Sequence, residues 1–594
     1  MVPAMSALSR TAVALAVALL AACATAPDRP SQPEPSSIFR AGLATSTAQR
    51  HMAASANPLA TQAGLDILRA GGSAVDAAIT IQLVLALVEP QSSGLGGGAF
   101  LLHWDGRQVV AFDGRETAPM GVDERLFLAA DGKPMAFYDA VVGGRAVGTP
   151  GAVRLLETAH RRYGKLPWAR LFEPAIRLSE QGFPLSPRLH GQLAAEKYLR
   201  SDRAAAAYFY NADGTPKTIG SPIRNPEFAA TLRALAIGGA DAFYSGPIAA
   251  DVVQAVRSHP NAGYLAASDL AAYRARQREA ICTDYKAWRV CGMPPPSSGG
   301  IAVAQMLGIF THRNIAVFPP DSATTPEPRA EAVHLFSEAG RLAFADRGLY
   351  VADSDFVPVN VTGLLDPAYL RQRAQLIGPR SMGTAPPGLP PGSSVAWAPD
   401  PSPMKAATSH ISVVDGDGKA VSMTTTIEDA FGARVMVRGF LLNNQLTDFS
   451  FVPVVDGKTV ANRVQPGKRP RSSMAPTLVF DRASGALVAT LGSPGGSQII
   501  GYVGKTLVGV LDWHLDIQQA IALPNFGSRN GPTELEKGRF SAGVVDALKA
   551  RGHDIREIDM ASGLQGIVRV RLPDGRPGWA GGADPRREGV ALGD

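Results

Sequence analysis

The stretch from Ser409 to Ile427 constrains this 594-residue chain more than any other. Ser409-His410-Ile411-Ser412-Val413-Val414 alternates polar with apolar residues, Asp415-Gly416-Asp417-Gly418 supplies a tight turn, and alternation resumes from Ala420 to Ile427. A period of two on both sides of an Asp-Gly turn predicts a β-hairpin. Just upstream, Pro386, Pro387, Pro390, Pro391, Pro399, Pro401 and Pro403 exclude a continuous helix or central strand between Ala385 and Met404. That stretch reads as a mobile surface segment, and the clearest internal boundary of the chain falls there.

Elsewhere the pattern is helical or loop-rich. Leu59, Ala63, Leu65, Ile67 and Leu68 recur at helical spacing, Gly71-Gly72 interrupts them, and the pattern resumes from Ala74 to Leu87. Gly94-Leu95-Gly96-Gly97-Gly98 leads into the buried-strand candidate Ala99-Phe100-Leu101-Leu102. A phosphate-binding loop would need Gly-Lys-Ser/Thr opening a helix, so these glycines read as a site of close backbone packing. Residues 150–275 are mostly helical in pattern, and no internal repeat occurs.

Composition narrows the class. Hydrophobic residues make up 45% and charged residues 19%, too apolar and too weakly charged for a disordered protein. The formal charge of +6 is spread thinly with no basic run, which argues against a nucleic-acid partner. Three cysteines and no His-Glu-x-x-His exclude a Cys-rich zinc site, a disulfide scaffold and that metalloprotease motif.

The N-terminus reads as an address. Arg10 precedes the apolar run 11–22, about 12 residues long against the ~20 needed to span a bilayer. It ends Leu20-Ala21-Ala22-Cys23, which resembles the lipobox of bacterial lipoproteins; the other reading is an ordinary signal peptide cut after Ala24 or Ala26. Either reading exports the protein. A lipidated Cys23 implies a periplasmic protein anchored to a bacterial membrane, touching the bilayer only through its lipid. Residues 23–40, with Pro27, Pro30, Pro33 and Pro35, read as a flexible tether. Cys282 and Cys291 flank two short strand candidates about a turn, and in an oxidising compartment either a disulfide or two small buried thiols fits.

The Gly-x-Ser-x-Gly elbow is absent, and Ser402-Pro403-Met404-Lys405 matches Ser-x-x-Lys without the Lys-Thr-Gly strand it requires. Ten histidines lack acidic or cysteine companions at readable spacing, so no metal ligand set is expected. Thr408 remains. A threonine whose backbone amine is freed by cleavage carries nucleophile and base in one residue, although a Thr opening a strand is more often a good strand former.

Here the chain resembles a known family. Thr408-Ser409-His410-Ile411-Ser412-Val413, Gly418, Val421, Thr424-Thr425-Thr426-Ile427-Glu428 and Phe431-Gly432 are similar to the signature of the gamma-glutamyltransferases, also called glutathione hydrolases. Further blocks match in order: Gly71 to Ala78, Gly96-Gly97-Gly98, Asp113 to Pro119, Met293 to Gly300, Leu442 to Phe449, Arg469 to Met474 and Gly492 to Ser497. The resemblance spans nearly all of the mature chain. It implies an α+β Ntn-hydrolase fold, an αββα four-layer sandwich self-cleaved into a large subunit, residues 41–407 after the tether, and a small catalytic subunit, 408–594. The two fragments would stay together as a heterodimer forming one unit.

It also implies roles. Thr408 attacks the carbonyl of Ala407 to cut the precursor, and its freed amine then serves as base while its hydroxyl attacks a γ-glutamyl amide. Thr426 hydrogen-bonds the nucleophile, and Gly495 and Gly496 present backbone N–H groups to the oxyanion. Arg115 takes the α-carboxylate with Ser472 and Ser473, while Asp448 takes the α-ammonium with Gln445 and Glu428. Substrates would be glutathione and other γ-glutamyl compounds, with amino acids, peptides or water as acceptors and no cofactor.

Three departures from the family pattern carry expectations. Glu428 stands where other members have Asn and adds negative charge near the ammonium. Gly114 stands where an aromatic often precedes the Arg, loosening the pocket wall. No Tyr lies between Asp448 and Ser472 to act as a gate, which predicts a more open site. The alternatives are a cephalosporin (glutaryl) acylase of the same fold, set behind because Asp448 and Gln445 are kept, and a catalytically silent amino-acid- or peptide-binding lipoprotein.

Overall fold

In the computed structural model the alternating stretch forms antiparallel strands Ala407–Val414 and Ala420–Glu428, with His410 opposite Thr424 and Val413 opposite Val421. The structure describes residues 39–321, 326–393, 397–401 and 407–594. The leader, Cys23, most of the tether and Ser402-Pro403-Met404-Lys405 lie outside the described residues.

This hairpin sits in the middle of a seven-stranded sheet in the order Val590–Gly593, Met52–Ser55, Ala407–Val414, Ala420–Glu428, Gly98–Trp104, Val109–Gly114, Arg276–Glu279. A second seven-stranded sheet runs Ser46–Ala48, Pro577–Ala583, Gln565–Arg571, Leu487–Gly492, Thr477–Asp481, Trp288–Gly292, Ile281–Tyr285. Both are antiparallel throughout. Helices Pro58–Arg69 and Ala74–Val88 cover the outer face of the first sheet, and Gly299–His312, Ile499–Leu511 and Ile517–Ala522 cover the second. The result is the four-layer αββα sandwich of an Ntn-hydrolase. Each sheet mixes strands from before and after Thr408, so the two parts share continuous hydrogen-bond ladders.

Alternation decides what faces where. Ile411, Val413, Val421 and Met423 join the helix-side core with Val75 and Ile79. On the opposite face, hydroxyls lace the two sheets together: Ser422 Oγ donates to Leu491 O (3.0 Å) and Thr490 Oγ1 to Val421 O (3.0 Å). His410 is buried there between Thr424 Oγ1 (2.9 Å) and Ser412 Oγ (3.1 Å), and burial lowers its pKa to about 3. It is a neutral packing residue. The turn residue Asp415 accepts from Asp417 N and Lys419 N, each at 3.0 Å, and from Ala74 N at 3.0 Å, which ties the hairpin to the start of the helix Ala74–Val88.

The break at Gly71-Gly72 falls between two helices as expected. Cys282 and Cys291 face each other across adjacent strands and are joined as a disulfide. The proline segment is non-helical where described, but it is tied down rather than loose: Gly388 N donates to Asp346 Oδ1 (2.8 Å), Arg373 Nη2 to Pro386 O (2.9 Å) and Asn360 Nδ2 to Pro391 O (2.7 Å).

Candidate active site

Thr408 lies at an irregularity in the hairpin. Ala407 pairs with Glu428 and Ser409 with Thr425, so Thr426 and Ile427 together oppose the single residue Thr408. Such a bulge twists the strand and re-aims the side chains around it. Glu428, which closes the bulge, has a positive φ of 80°. Close packing holds the bulge in place: a Cβ on Gly97 would come within 2.0 Å of Thr426 O, so the glycines before Gly98–Trp104 are needed for contact with this strand.

The Thr408 hydroxyl hydrogen-bonds to Ala407 O, the carbonyl of its own preceding peptide bond, and lies 3.3 Å from Thr426 Oγ1. Thr426 Oγ1 donates to the same carbonyl at 2.8 Å and accepts from Glu428 N at 2.8 Å. Arg587 Nη1 donates to Thr408 O at 3.3 Å. Gly496 lines the same pocket; Gly495 and Gly496 have φ of 130° and 55°, and a Cβ on Gly495 would meet the Tyr502 ring at 2.5 Å. This backbone admits only glycine comfortably.

Charged groups of both signs converge beside Thr408. Arg115 is fully buried and pairs with Asp448, while Gln445 Nε2 donates to Asp448 Oδ2 at 2.9 Å. Arg115 also donates to Pro470 O and Arg471 O, each at 3.2 Å. Asn443 and Asn444 set the turn Gln445–Asp448: Asn443 Oδ1 accepts from Gln445 N (2.9 Å), and Asn444 Nδ2 donates to Thr447 Oγ1 (3.0 Å) and to Glu428. Ser472 is pinned from behind by Ser298, whose N and Oγ donate to Ser472 O at 2.8 and 2.7 Å. Ser473 Oγ accepts from Arg347 Nη2 at 2.6 Å. Every catalytic and substrate-binding residue that the resemblance implies thus lies in one neighbourhood, and all of them except Gly495 line a single pocket of about 40 Å³ with Ala407.

Two expectations change. Glu428 is more than an added negative charge: burial, then Asp448 and Asp429, push its carboxyl well above the usual carboxylate range. Gly114 does not form a loosened pocket wall; a Cβ there would meet Leu155 Cβ at 2.6 Å, so it admits close packing of the helix Ala152–Tyr163. Asp400, Arg347 and Arg471 also line this pocket. These three residues and Arg587 escaped the sequence reading. Asp400 sits in the proline segment with no motif of its own, and Arg471 was read only as part of the Arg469 to Met474 block.

One His/Glu group capable of holding a metal occurs among the described residues, although no sequence spacing shows it. His334, Glu338 and His553 place one ligand atom each within 4.8 Å of one another. All three are engaged by the protein: His334 Nδ1 and His553 Nε2 hydrogen-bond at 2.8 Å, and Glu338 accepts from Arg341 Nε (2.9 Å), Ser381 Oγ (2.9 Å) and Met382 N (2.9 Å).

Comparison with known proteins identifies the family. The family model described as gamma-glutamyltranspeptidase matches residues 60–594. The chain is 35% identical over 591 residues to the glutathione hydrolase proenzyme of Escherichia coli K12, covering 97% of each chain. It is 34% identical over 553 residues to that of Bacillus subtilis strain 168, covering 91% of each. Among solved structures, the cephalosporin acylase from Bacillus halodurans superposes with a TM-score of 0.78 at 27% identity, over 96% of this chain and 99% of that one. The match of the family model over residues 60–594, with relatives about 35% identical along nearly the whole chain, shows that this chain belongs to the gamma-glutamyltranspeptidase family.

Proposed function

We propose that the chain is a self-processing γ-glutamyltransferase and glutathione hydrolase that works through a Thr408 acyl-enzyme. The observation that carries this reading is the pair Arg115–Asp448 beside Thr408. A γ-glutamyl group ends in an α-carboxylate and an α-ammonium, so a buried cation beside a half-buried anion is its electrostatic complement. The substrate would replace one internal ion pair by two charge-assisted ones, Arg115 with Ser472 and Ser473 on the carboxylate and Asp448 with Gln445 on the ammonium. Glu428, whose pKa burial raises, would add a further carboxyl beside them, and an arriving cation would favour its ionised form.

In the uncleaved chain the Thr408 hydroxyl would add to the Ala407 carbonyl with Thr426 polarising its oxygen, and the C–N bond would break to leave an ester and a free Thr408 amine. Water would hydrolyse the ester to give fragments ending at Ala407 and beginning at Thr408. In the second reaction that amine would take the hydroxyl proton, the hydroxyl would attack the γ-glutamyl carbonyl, and Gly495 and Gly496 would offer N–H groups to the oxyanion. An amino acid, a peptide or water would then accept the acyl group. N-terminal sequencing of the purified fragments tests this: a small fragment starting at Thr408 with γ-glutamyl p-nitroanilide turnover supports it, and a single inactive uncut chain rejects it.

The glutaryl acylase reading is favoured by the likeness to the Bacillus halodurans structure. Faster turnover of glutaryl than γ-glutamyl anilides would select it. The address is part of the same proposal: export, lipidation of Cys23 and a periplasmic, membrane-anchored enzyme, with Cys23→Ser releasing it from membranes.

A further inference from the structure

Lys468 is fully buried, and no carboxylate lies within ion-pair distance of it among the described residues. Its Nζ is spent on one loop instead, donating to Ala461 O at 2.6 Å, Arg463 O at 3.2 Å and Gln465 Oε1 at 3.0 Å. The first two are the carbonyls on either side of Asn462, so one side chain grips from both ends the backbone that carries this amide. A buried polar network with its partners in place holds its members in one arrangement.

Asn462 in turn spans the site. Its Oδ1 accepts from Arg471 N at 2.9 Å, and its Nδ2 donates to Asp448 O at 2.8 Å and to Asp400 Oδ2 at 3.0 Å. Arg471 stands one residue before Ser472, and Asp448 is the residue assigned to the α-ammonium. One planar amide therefore links the segment from Pro470 to Ser473 with the turn Gln445–Asp448. The backbone of Lys468 ties in Arg115 as well, because Ala118, three residues further on, donates its N–H to Lys468 O at 2.8 Å. Neither Lys468 nor Asn462 lines the pocket, so neither is placed to touch a substrate.

The spacing of these segments matters to a ligand that holds both at once. A γ-glutamyl group carries its carboxylate and its ammonium on one carbon, so the groups receiving them must keep a fixed separation. A ligand with only one of the two charges can follow either segment as it shifts.

We propose that Lys468 is a positioning residue that, through Asn462, fixes the separation between Asp448 and the serines Ser472 and Ser473, so that one ligand can engage both. The proposal rests on the γ-glutamyl reading of the site for its meaning, while the clamp itself can be tested by binding without turnover.

Calorimetric titration of the purified enzyme decides it. Lys468→Met should weaken L-glutamate binding about ten-fold, whereas glutarate, which lacks the ammonium, should lose less than about three-fold. In an Asn462→Ala background the same substitution should cost less than about two-fold further, because the partner through which Lys468 acts is already gone. In turnover, Lys468→Met should raise KM for γ-glutamyl p-nitroanilide about ten-fold with kcat nearly unchanged. Lys468→Gln, one atom shorter, provides the same comparisons where the methionine variant fails to fold. Unchanged L-glutamate binding, equal losses for L-glutamate and glutarate, or an undiminished cost in the Asn462→Ala background overturns the proposal. A wild-type enzyme that binds L-glutamate but is inert toward γ-glutamyl donors would reject the proposed function, while the titrations would still decide the clamp.

Discussion

Thr426 Oγ1 donates a 2.8 Å hydrogen bond to the carbonyl oxygen of Ala407 while lying 3.3 Å from the Thr408 hydroxyl. One side chain therefore touches both the proposed nucleophile and the proposed electrophile of the self-cleavage step. The bulge makes this possible by setting Thr426 and Ile427 against Thr408 alone. Removing one donor to a developing oxyanion typically slows a reaction by about 10²-fold or more. Thr426→Ala is therefore expected to slow fragment formation by about that factor, with Thr426→Ser largely restoring it. A time course of the two bands on a denaturing gel checks this, and unchanged cleavage in Thr426→Ala would remove the assignment.

Gly495 combines a φ of 130° with a Cβ position only 2.5 Å from the Tyr502 ring. Backbone strain of this kind costs on the order of 1–3 kcal/mol, before the steric clash is counted. Gly495→Ala should lower Tm by several degrees and reduce kcat more than it raises KM, because the loop it displaces carries Gly496 into the pocket. Thermal melts with steady-state kinetics read both effects.

Glu116 is buried without a hydrogen-bond partner for either carboxylate oxygen, 3.7 Å from Arg115, and burial pushes its pKa up to about 8. The fold thus favours the protonated form, whereas the unfolded chain ionises above its ordinary value of 4.5. The sign follows: this group costs no stability below about pH 4.5, costs progressively more as pH rises toward 8, and costs a constant amount beyond. The full penalty is on the order of a few kcal/mol. Glu116→Gln should gain several degrees in Tm relative to wild type between pH 5 and pH 8. A Tm difference that does not change with pH would show that Glu116 is ionised throughout.

Cys282 and Cys291, nine positions apart in the sequence, close a short loop at the edge of the second sheet. Constraining a loop of this size stabilises a fold by about 2–3 kcal/mol. Serine at both positions should lower Tm by several degrees while leaving γ-glutamyl p-nitroanilide turnover unchanged, since neither residue lines the pocket at Thr408. Reduction of the wild-type protein should reproduce that shift.

Features written in neighbouring residues were legible before any coordinates. The hairpin, its Asp-Gly turn, the break at Gly71-Gly72 and the strands about Cys282 and Cys291 each rest on local periodicity or on turn chemistry that spans a few residues. The site residues were legible in a different way. No pattern within this chain links Arg115 to Asp448, which lie 333 positions apart; motif blocks supplied them, and the fold then brought them together.

Long-range geometry accounts for the remainder. Asp400 and Arg471 are 71 positions apart, and His334 and His553 are 219 apart, so nothing local announces either contact. The raised pKa of Glu428 depends on burial beside Asp448 and Asp429, and the tight packing of Gly114 depends on a helix arriving from residues 152–163. Periodicity specifies which face of a strand is buried. It carries no information about which distant charge or side chain arrives at that face, because that is settled by how the four layers pack.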